Sequence, residues 1–190
     1  MEMNNIDKPY FFDTVRMSLF GGRLSQKQVV GMEAIIDKAD LSNKQLAYVM
    51  ATVCHETAKT FEPIEEYGKG RGKRYGRKEK MSGAKYTTPD KIYFGRGFVQ
   101  LTWFENYEKF QKLLGIPLLA NPDLALDLNN SVDILLLGME RGLFTGRKLS
   151  DYINLSKKDY RNARRIVNGL DRADLIAGYA VKFEKAIRCY

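Results

Sequence analysis

The stretch Met50–Gly68, MATVCHETAKTFEPIEEYG, presents Glu56 near the end of a helical pattern and, a short loop later, the adjacent pair Glu65 and Glu66. Two carboxyl groups held near one cleft are what cleavage of a glycosidic bond requires. One protonates the leaving oxygen and the other activates water or attacks the anomeric carbon. On a helical wheel Leu46, Met50 and Val53 form one arc, Glu56 lies at its flank nearly in line with Val49, and His55 lies away from it. A carboxyl group bordering a buried helix end is partly desolvated, which suits a general acid working near neutral pH. The same position also fits an ordinary helix-flank carboxylate paired with a Lys or Arg. His55 has no Cys or His partner at ligand spacing and reads as a hydrogen-bonded packing residue. Of Glu65 and Glu66, one is expected to be merely solvated while the other holds a water for attack on a sugar carbon.

A second polar stretch is Gly95-Arg-Gly97 followed by Phe-Val-Gln-Leu-Thr-Trp103. Gln100 and Thr102 alternate with Val99, Leu101 and Trp103, so a strand here would put an amide and a hydroxyl on one face and apolar groups on the other. Such a face can orient a water or a sugar, or it can satisfy local backbone groups. The two glycines are not a phosphate loop, because no Lys-Ser/Thr follows and a polar strand replaces the helix. Asn168, before Gly169, either caps the end of a helix or presents its amide to a cleft.

The elements that must position these groups are mostly helices. Ser25-Gln-Lys-Gln28 and Ser42-Asn-Lys-Gln45 are capping-box starts, predicting helices over 26–38 and from 43 to about Lys59. Residues 1–24 read as an N-terminal arm in which Tyr10, Phe11 and Phe12 anchor residues 1–12, and a short helix runs from Asp13 to Phe20 before Gly21-Gly22. Further helices are predicted over 104–114, Ser131–Arg141, 149–154, 157–167 and Arg172–Ile187, with a turn or short helix at Asn121-Pro122. Residues 66–97 differ in kind: seven glycines, many Lys and Arg, and no helical period predict a long basic excursion of turns and short strands. A long loop of this kind inside a compact domain is commonly functional.

The 190 residues suit one domain with its own core, and 44% hydrophobic content excludes a disordered chain. A net charge of +8 favours an anionic partner. The run Lys69–Lys80, with Tyr67 and Tyr75 available for stacking, would suit nucleic acid, but no reading element accompanies it. It therefore reads as a solvated loop attracting anionic polymers, with no nucleic-acid partner expected. A single His excludes a His-rich metal site, and neither metal nor cofactor is expected. Cys54 and Cys189 form no disulfide framework. No stretch reaches the roughly 20 apolar residues of a membrane span, and no secretory signal is visible. Lys182, Lys185 and Arg188 make the C-terminal helix basic, but its apolar face is expected to be needed for the core.

Taken in order, His55-Glu56-Thr57, Tyr93-Phe-Gly-Arg-Gly-Phe-Val-Gln-Leu-Thr-Trp103 with Asn106-Tyr107, and Arg164-Arg165-Ile-Val-Asn-Gly169 resemble the glycoside hydrolase family 19 chitinases. Phe11–Arg23 and Gly142–Tyr152 also look like the phage branch, endolysins that cut peptidoglycan. The resemblance implies a mainly α, lysozyme-like (α+β) fold: one catalytic domain over 1–190, with two helical lobes, a small β-containing loop region, a sugar-binding cleft and no separate wall-binding domain. It implies Glu56 as general acid, Glu66 (or Glu65) as second carboxylate, and Thr102 aligning the nucleophilic water where the chitinases usually have Ser. Gln100, Asn106, Asn168, Glu65 and Tyr93 fall at substrate-binding positions. The mechanism so read is inversion, with carboxyl groups ~6.5–9.5 Å apart; a separation of ~5 Å would open a retaining route instead. The expected partners are bacterial peptidoglycan and, through the basic surface, anionic envelope polymers. The expected protein is a monomer held in the host cytoplasm until release to the wall. The cysteine set of plant chitinases is missing.

Overall fold

The structure is a computed structural model that describes residues 6–189. It is mainly helical, with one small two-stranded sheet, and divides into two compact units. The first holds the described residues up to Phe61 together with those from Leu136 onward; the second is Glu62–Leu135.

The first unit is built on α3 (Asn43–Glu56), in which every residue from Leu46 to Cys54 is buried. A helix apolar around its whole circumference must be surrounded. α7 (Ala173–Ala186) packs along α3 and α1 (Lys8–Leu19) along α7, burying Ile176, Ala180 and Phe183. Phe183 lies between Phe11 and Phe61, with ring centroids 6.3 and 6.1 Å away. The apolar face of α7 thus serves the core. Fully burying side chains such as Leu46, Met50 or Val53 contributes about 1.5–3 kcal/mol each. α2 (Gln26–Lys38) and α3 both open on the predicted capping boxes, at Ser25 and Ser42. α2 approaches the Phe61 backbone so closely that a Cβ on Gly31 would stand 2.0 Å from the Phe61 carbonyl oxygen.

Several boundaries differ from the sequence reading. α1 starts at Lys8 and not at Asp13, because the Asp7 carboxylate accepts from the Tyr10 N–H and Pro9 suits a first turn. Tyr10, Phe11 and Phe12 are therefore helical, and residues 1–5 of the predicted arm lie outside the described residues. α3 ends at Glu56 instead of Lys59, since Ala58 and Lys59 take positive φ of 48° and 70°. The helix predicted over 157–167 contracts to a 3₁₀ segment, Asn162–Ile166. Asp159 accepts there from the backbone and side chain of Asn162. α6 is the short helix Leu149–Tyr152. Both cysteines are free; Cys54 is buried, which pushes its thiol up to about 12.

In the second unit, β1 (Ile64–Glu65) pairs antiparallel with β2 (Arg96–Gly97), Ile64 facing Gly97 and Glu65 facing Arg96. α4 (Phe104–Leu114) ends on Gly115 in the left-handed region, as the sequence predicts. Its Phe104 and Tyr107 join Tyr86 and Tyr93 in one aromatic cluster. The buried Arg96 guanidinium lies 3.5 Å from the Phe94 ring centroid, bonds Asp123 at 2.8 Å and donates to the Ile92 carbonyl. Pro122–Leu126 is a 3₁₀ segment, and α5 (Leu128–Arg141) carries the chain back into the first unit.

Candidate active site

Glu56 is the last residue of α3, its side chain 17% exposed, and it receives a 2.5 Å hydrogen bond from Nη1 of Arg164. Arg164, 3% exposed, is carried by the Asn162–Ile166 segment, and its Nε donates to the Asp171 carbonyl. The partner on this helix-flank carboxylate is thus one buried guanidinium, held from both sides. Thr57 closes the helix: its hydroxyl donates to the Val53 carbonyl and accepts from the Phe61 N–H. His55 is half-buried, and burial pushes its imidazole below the ordinary value, with Glu56 opposing and Arg164 adding to the shift. Asn168 is exposed; its Oδ1 accepts from the Gly169 N–H at 2.8 Å, and its own N–H donates to the Arg164 carbonyl. Its side-chain oxygen thus meets the backbone of the turn that follows the Asn162–Ile166 segment.

The structure treats Glu65 and Glu66 differently. Glu65 forms an ion pair with Lys69 at 2.8 Å. Glu66 is anchored at both oxygens: Oε1 accepts from the Tyr75 hydroxyl at 2.7 Å and Oε2 from the Gly95 N–H at 3.0 Å. The Glu66 N–H in turn donates to the Gly95 carbonyl. An ionised carboxylate has about four acceptor positions, so Glu66 can still hold a water. Burial and the Glu66 charge push the Tyr75 phenol up to about 12. A pocket of about 530 Å³ opens here, lined by Glu65, Glu66, Tyr67, Gly68, Lys69 and Arg71. Tyr75 is a site residue that the sequence reading missed. Its ring is committed edge-on to Trp103 at 5.3 Å, not free for base stacking. Its signal was a tyrosine nine residues beyond Glu66, in a run dominated by basic residues.

The strand expected over 98–103 is a tight turn. Arg96 and Leu101 exchange backbone hydrogen bonds, Gln100 sits at φ 54° and Trp103 at φ 77°. The buried Ser131 hydroxyl fixes the turn by accepting from the Phe98 N–H. Alternation of faces therefore fails. The Gln100 amide donates to the Ile64 and Gly97 carbonyls, bracing β1 and β2. The Thr102 hydroxyl donates to the Gln100 carbonyl, and the Asn106 amide donates to the Thr102 carbonyl. Gln100, Thr102 and Asn106 thus form one run of local bonds, and all three remain partly exposed. Tyr93 belongs to the core and not to a binding surface: it is fully buried and its hydroxyl donates to the Leu119 carbonyl. Among the described residues, no group of three or more His, Cys, Asp or Glu is placed to hold a metal ion.

The family model for glycoside hydrolase family 19, chitinase class I, matches residues 25–134. An endochitinase of Arabidopsis thaliana is 33% identical over 130 residues, covering 64% of this chain and 43% of the relative. A second Arabidopsis thaliana endochitinase is 32% identical over 124 residues, 61% of this chain and 41% of the relative. Endochitinase 1 of Theobroma cacao is 56% identical over 36 residues, 19% of this chain and 11% of that protein. The chain thus spans less than half the length of the curated relatives it matches. Among solved structures, chitinase C from Streptomyces griseus aligns with a TM-score of 0.67 at 21% identity, over 98% of this chain and 78% of that one. A mutant of chitinase C aligns at 0.57 and 22%, over 96% and 91%. At these identities the likeness is one of fold.

Proposed function

Because this chain belongs to glycoside hydrolase family 19, chitinase class I, we propose that it hydrolyses the β-1,4 glycosidic bonds of bacterial peptidoglycan, as a phage endolysin does in host lysis. The observation that carries the reading is the contrast between two carboxyl groups. Glu56 ends a helix buried from Leu46 to Cys54 and meets the Arg164 guanidinium, whereas Glu66 is fixed by two neutral donors on a half-exposed loop. Groups in such different settings are suited to different steps. Glu56, protonated, gives its proton to the leaving glycosidic oxygen. Glu66 orients a water against the opposite face of the sugar and takes its proton as the oxygen bonds to the anomeric carbon, which inverts the configuration. Thr102 and Asn106, joined by their local bonds, supply polar groups for the water and the sugar.

Peptidoglycan is favoured over chitin by charge. Residues 66–97 carry ten Lys and Arg against three Asp and Glu, almost all of the chain's net +8. Chitin is neutral, whereas a bacterial wall carries carboxylates and phosphates. The competing reading is a chitinase on the same scaffold, favoured by the endochitinase relatives. Among the described residues no helix is long and apolar enough to cross a membrane. The test is lysis of permeabilised Gram-negative cells by wild type and Glu56→Gln, with mass spectrometry of released muropeptides and a parallel assay for chitooligosaccharides. Loss of lysis in a folded Glu56→Gln supports the assignment, and the new reducing ends identify the bond. Lysis that survives the substitution removes Glu56 from the mechanism, and release of chitooligosaccharides alone favours the chitinase.

A further inference from the structure

We infer that the pocket beside Glu66 is a subsite for an acid-bearing sugar, with Arg71 gripping a carboxylate on the substituent and Tyr67 covering the sugar face; this rests on the peptidoglycan reading above. The basic run here is a wound, built loop. Gly68, Gly70 and Gly72 take φ of 86°, 80° and 77°, and the N–H groups of Lys69, Arg71 and Lys73 each donate to the carbonyl three residues back. The loop then closes on itself: a Cβ on Gly76 would stand 1.9 Å from the Gly70 carbonyl oxygen. Regular alternation of glycine with a cation therefore delivers a charged side chain at every second position of a fixed backbone.

The pocket residues divide by chemistry. Glu66 is committed to Tyr75 and Gly95, and Glu65 to Lys69. Arg71 is exposed and makes no side-chain hydrogen bond or ion pair among the described residues. A guanidinium at the edge of a pocket matches a carboxylate by two parallel N–H donors. The Lys69 ammonium is paired with Glu65, so Arg71 is the pocket's cation left for a ligand. Tyr67 is fully exposed, an unusual placement for a large ring on a soluble surface unless it meets a partner. An aromatic ring offers a flat apolar face to the C–H face of a pyranose. A neutral sugar would use the ring and leave the guanidinium idle; a muramic acid residue, with its lactyl carboxylate or attached acidic peptide, uses both.

The test needs no turnover. N-acetylmuramyl dipeptide has no glycosidic bond to cut, so wild-type protein can be titrated with it by NMR. Parallel titrations use the same compound with its one free carboxyl group, on the isoglutamine, capped as the methylamide. The expected result is about five-fold tighter binding of the acid form, the scale of one accessible charge pair. Arg71→Ala should abolish that preference, Arg71→Lys should keep most of it, and raised salt should weaken it. Tyr67→Ala should weaken both forms alike. Equal affinity for the two forms, a preference that survives Arg71→Ala, or no binding of either form overturns the inference. Hydrolysis is read separately: a wild type that prefers the acid form but cuts no glycan keeps the subsite and discards the proposed activity.

Discussion

Glu56 and Arg164 determine which substitution can be interpreted. Removing one partner of a buried pair costs on the order of 3–5 kcal/mol, because the other charge is left uncompensated. Arg164 is 3% exposed and Glu56 17%, so stranding the arginine is the costlier error. Glu56→Ala is therefore expected to lose several kcal/mol in a denaturant titration, and its inactivity would say little. Glu56→Gln removes the countercharge but keeps an oxygen that can accept from Nη1, so it should lose activity with a smaller loss of stability than Glu56→Ala. If both variants unfold alike, the pair is the structural hinge of the unit and the activity test must move to Glu66. Tyr75→Phe removes one of the two donors on Glu66 without changing shape. A charge-assisted bond of about 1.5 kcal/mol predicts roughly ten-fold lower kcat; an unchanged kcat would dismiss Tyr75 as a positioning residue. His55 makes a pH prediction. Its imidazole is held below the ordinary 6.5 by burial, so as pH falls through 6.5 the unfolded chain takes up a proton before the folded one does. Stability must then fall with pH below 6.5, and His55→Gln should flatten that limb of the pH–stability curve.

At the scale of elements, glycines test how closely the segments are built. Gly31→Ala would press a methyl group to 2.0 Å from the Phe61 carbonyl oxygen, and Phe61 itself sits at φ 55°. Overpacking of this kind costs typically about 1–3 kcal/mol, read as a lower Tm; a wild-type Tm would mean that α2 is free to move away. The elements were legible in the sequence wherever a local signal decides them. Both capping boxes, the Gly115 stop and the full span of α4 are set by residues within a turn of one another. What was not legible depends on distant partners. Gln100 and Trp103 adopt positive φ in a turn whose Phe98 N–H is held by Ser131, far along the chain, and no local pattern contains that contact. The same limit governs the candidate site. The stretch itself offers Glu56 and the pair Glu65 and Glu66, and only the family resemblance prefers Glu66; Arg164 stands 108 residues from Glu56, and nothing in its own neighbourhood names that contact. Tyr93 was misplaced for the opposite reason: it lies in a motif rich in candidate site residues while its own role is to fill a core of four aromatic rings.

For the whole molecule the decisive property is where its charge lies. The net charge is +8, and residues 66–97 alone contribute ten basic against three acidic groups, so the rest of the chain is close to neutral. Attraction to an anionic polymer should then depend on this one loop and not on net charge, because fields from separated surface charges are screened within ~8 Å at physiological salt. Two double variants separate the possibilities. Lys73→Glu with Lys85→Glu changes exposed loop residues; Arg147→Glu with Lys185→Glu changes exposed residues elsewhere. Each reversal removes two charges, so both variants fall from +8 to +4. On an immobilised teichoic acid column, the loop variant should elute at clearly lower salt than the control variant, which should stay close to wild type. Co-elution of the two would show that overall charge governs the attraction. A loop whose cations contribute nothing to polyanion binding would also weaken the case that charge selects peptidoglycan over chitin. Retention of the control variant with early release of the loop variant would instead tie wall attraction to the same wound segment that holds Glu66.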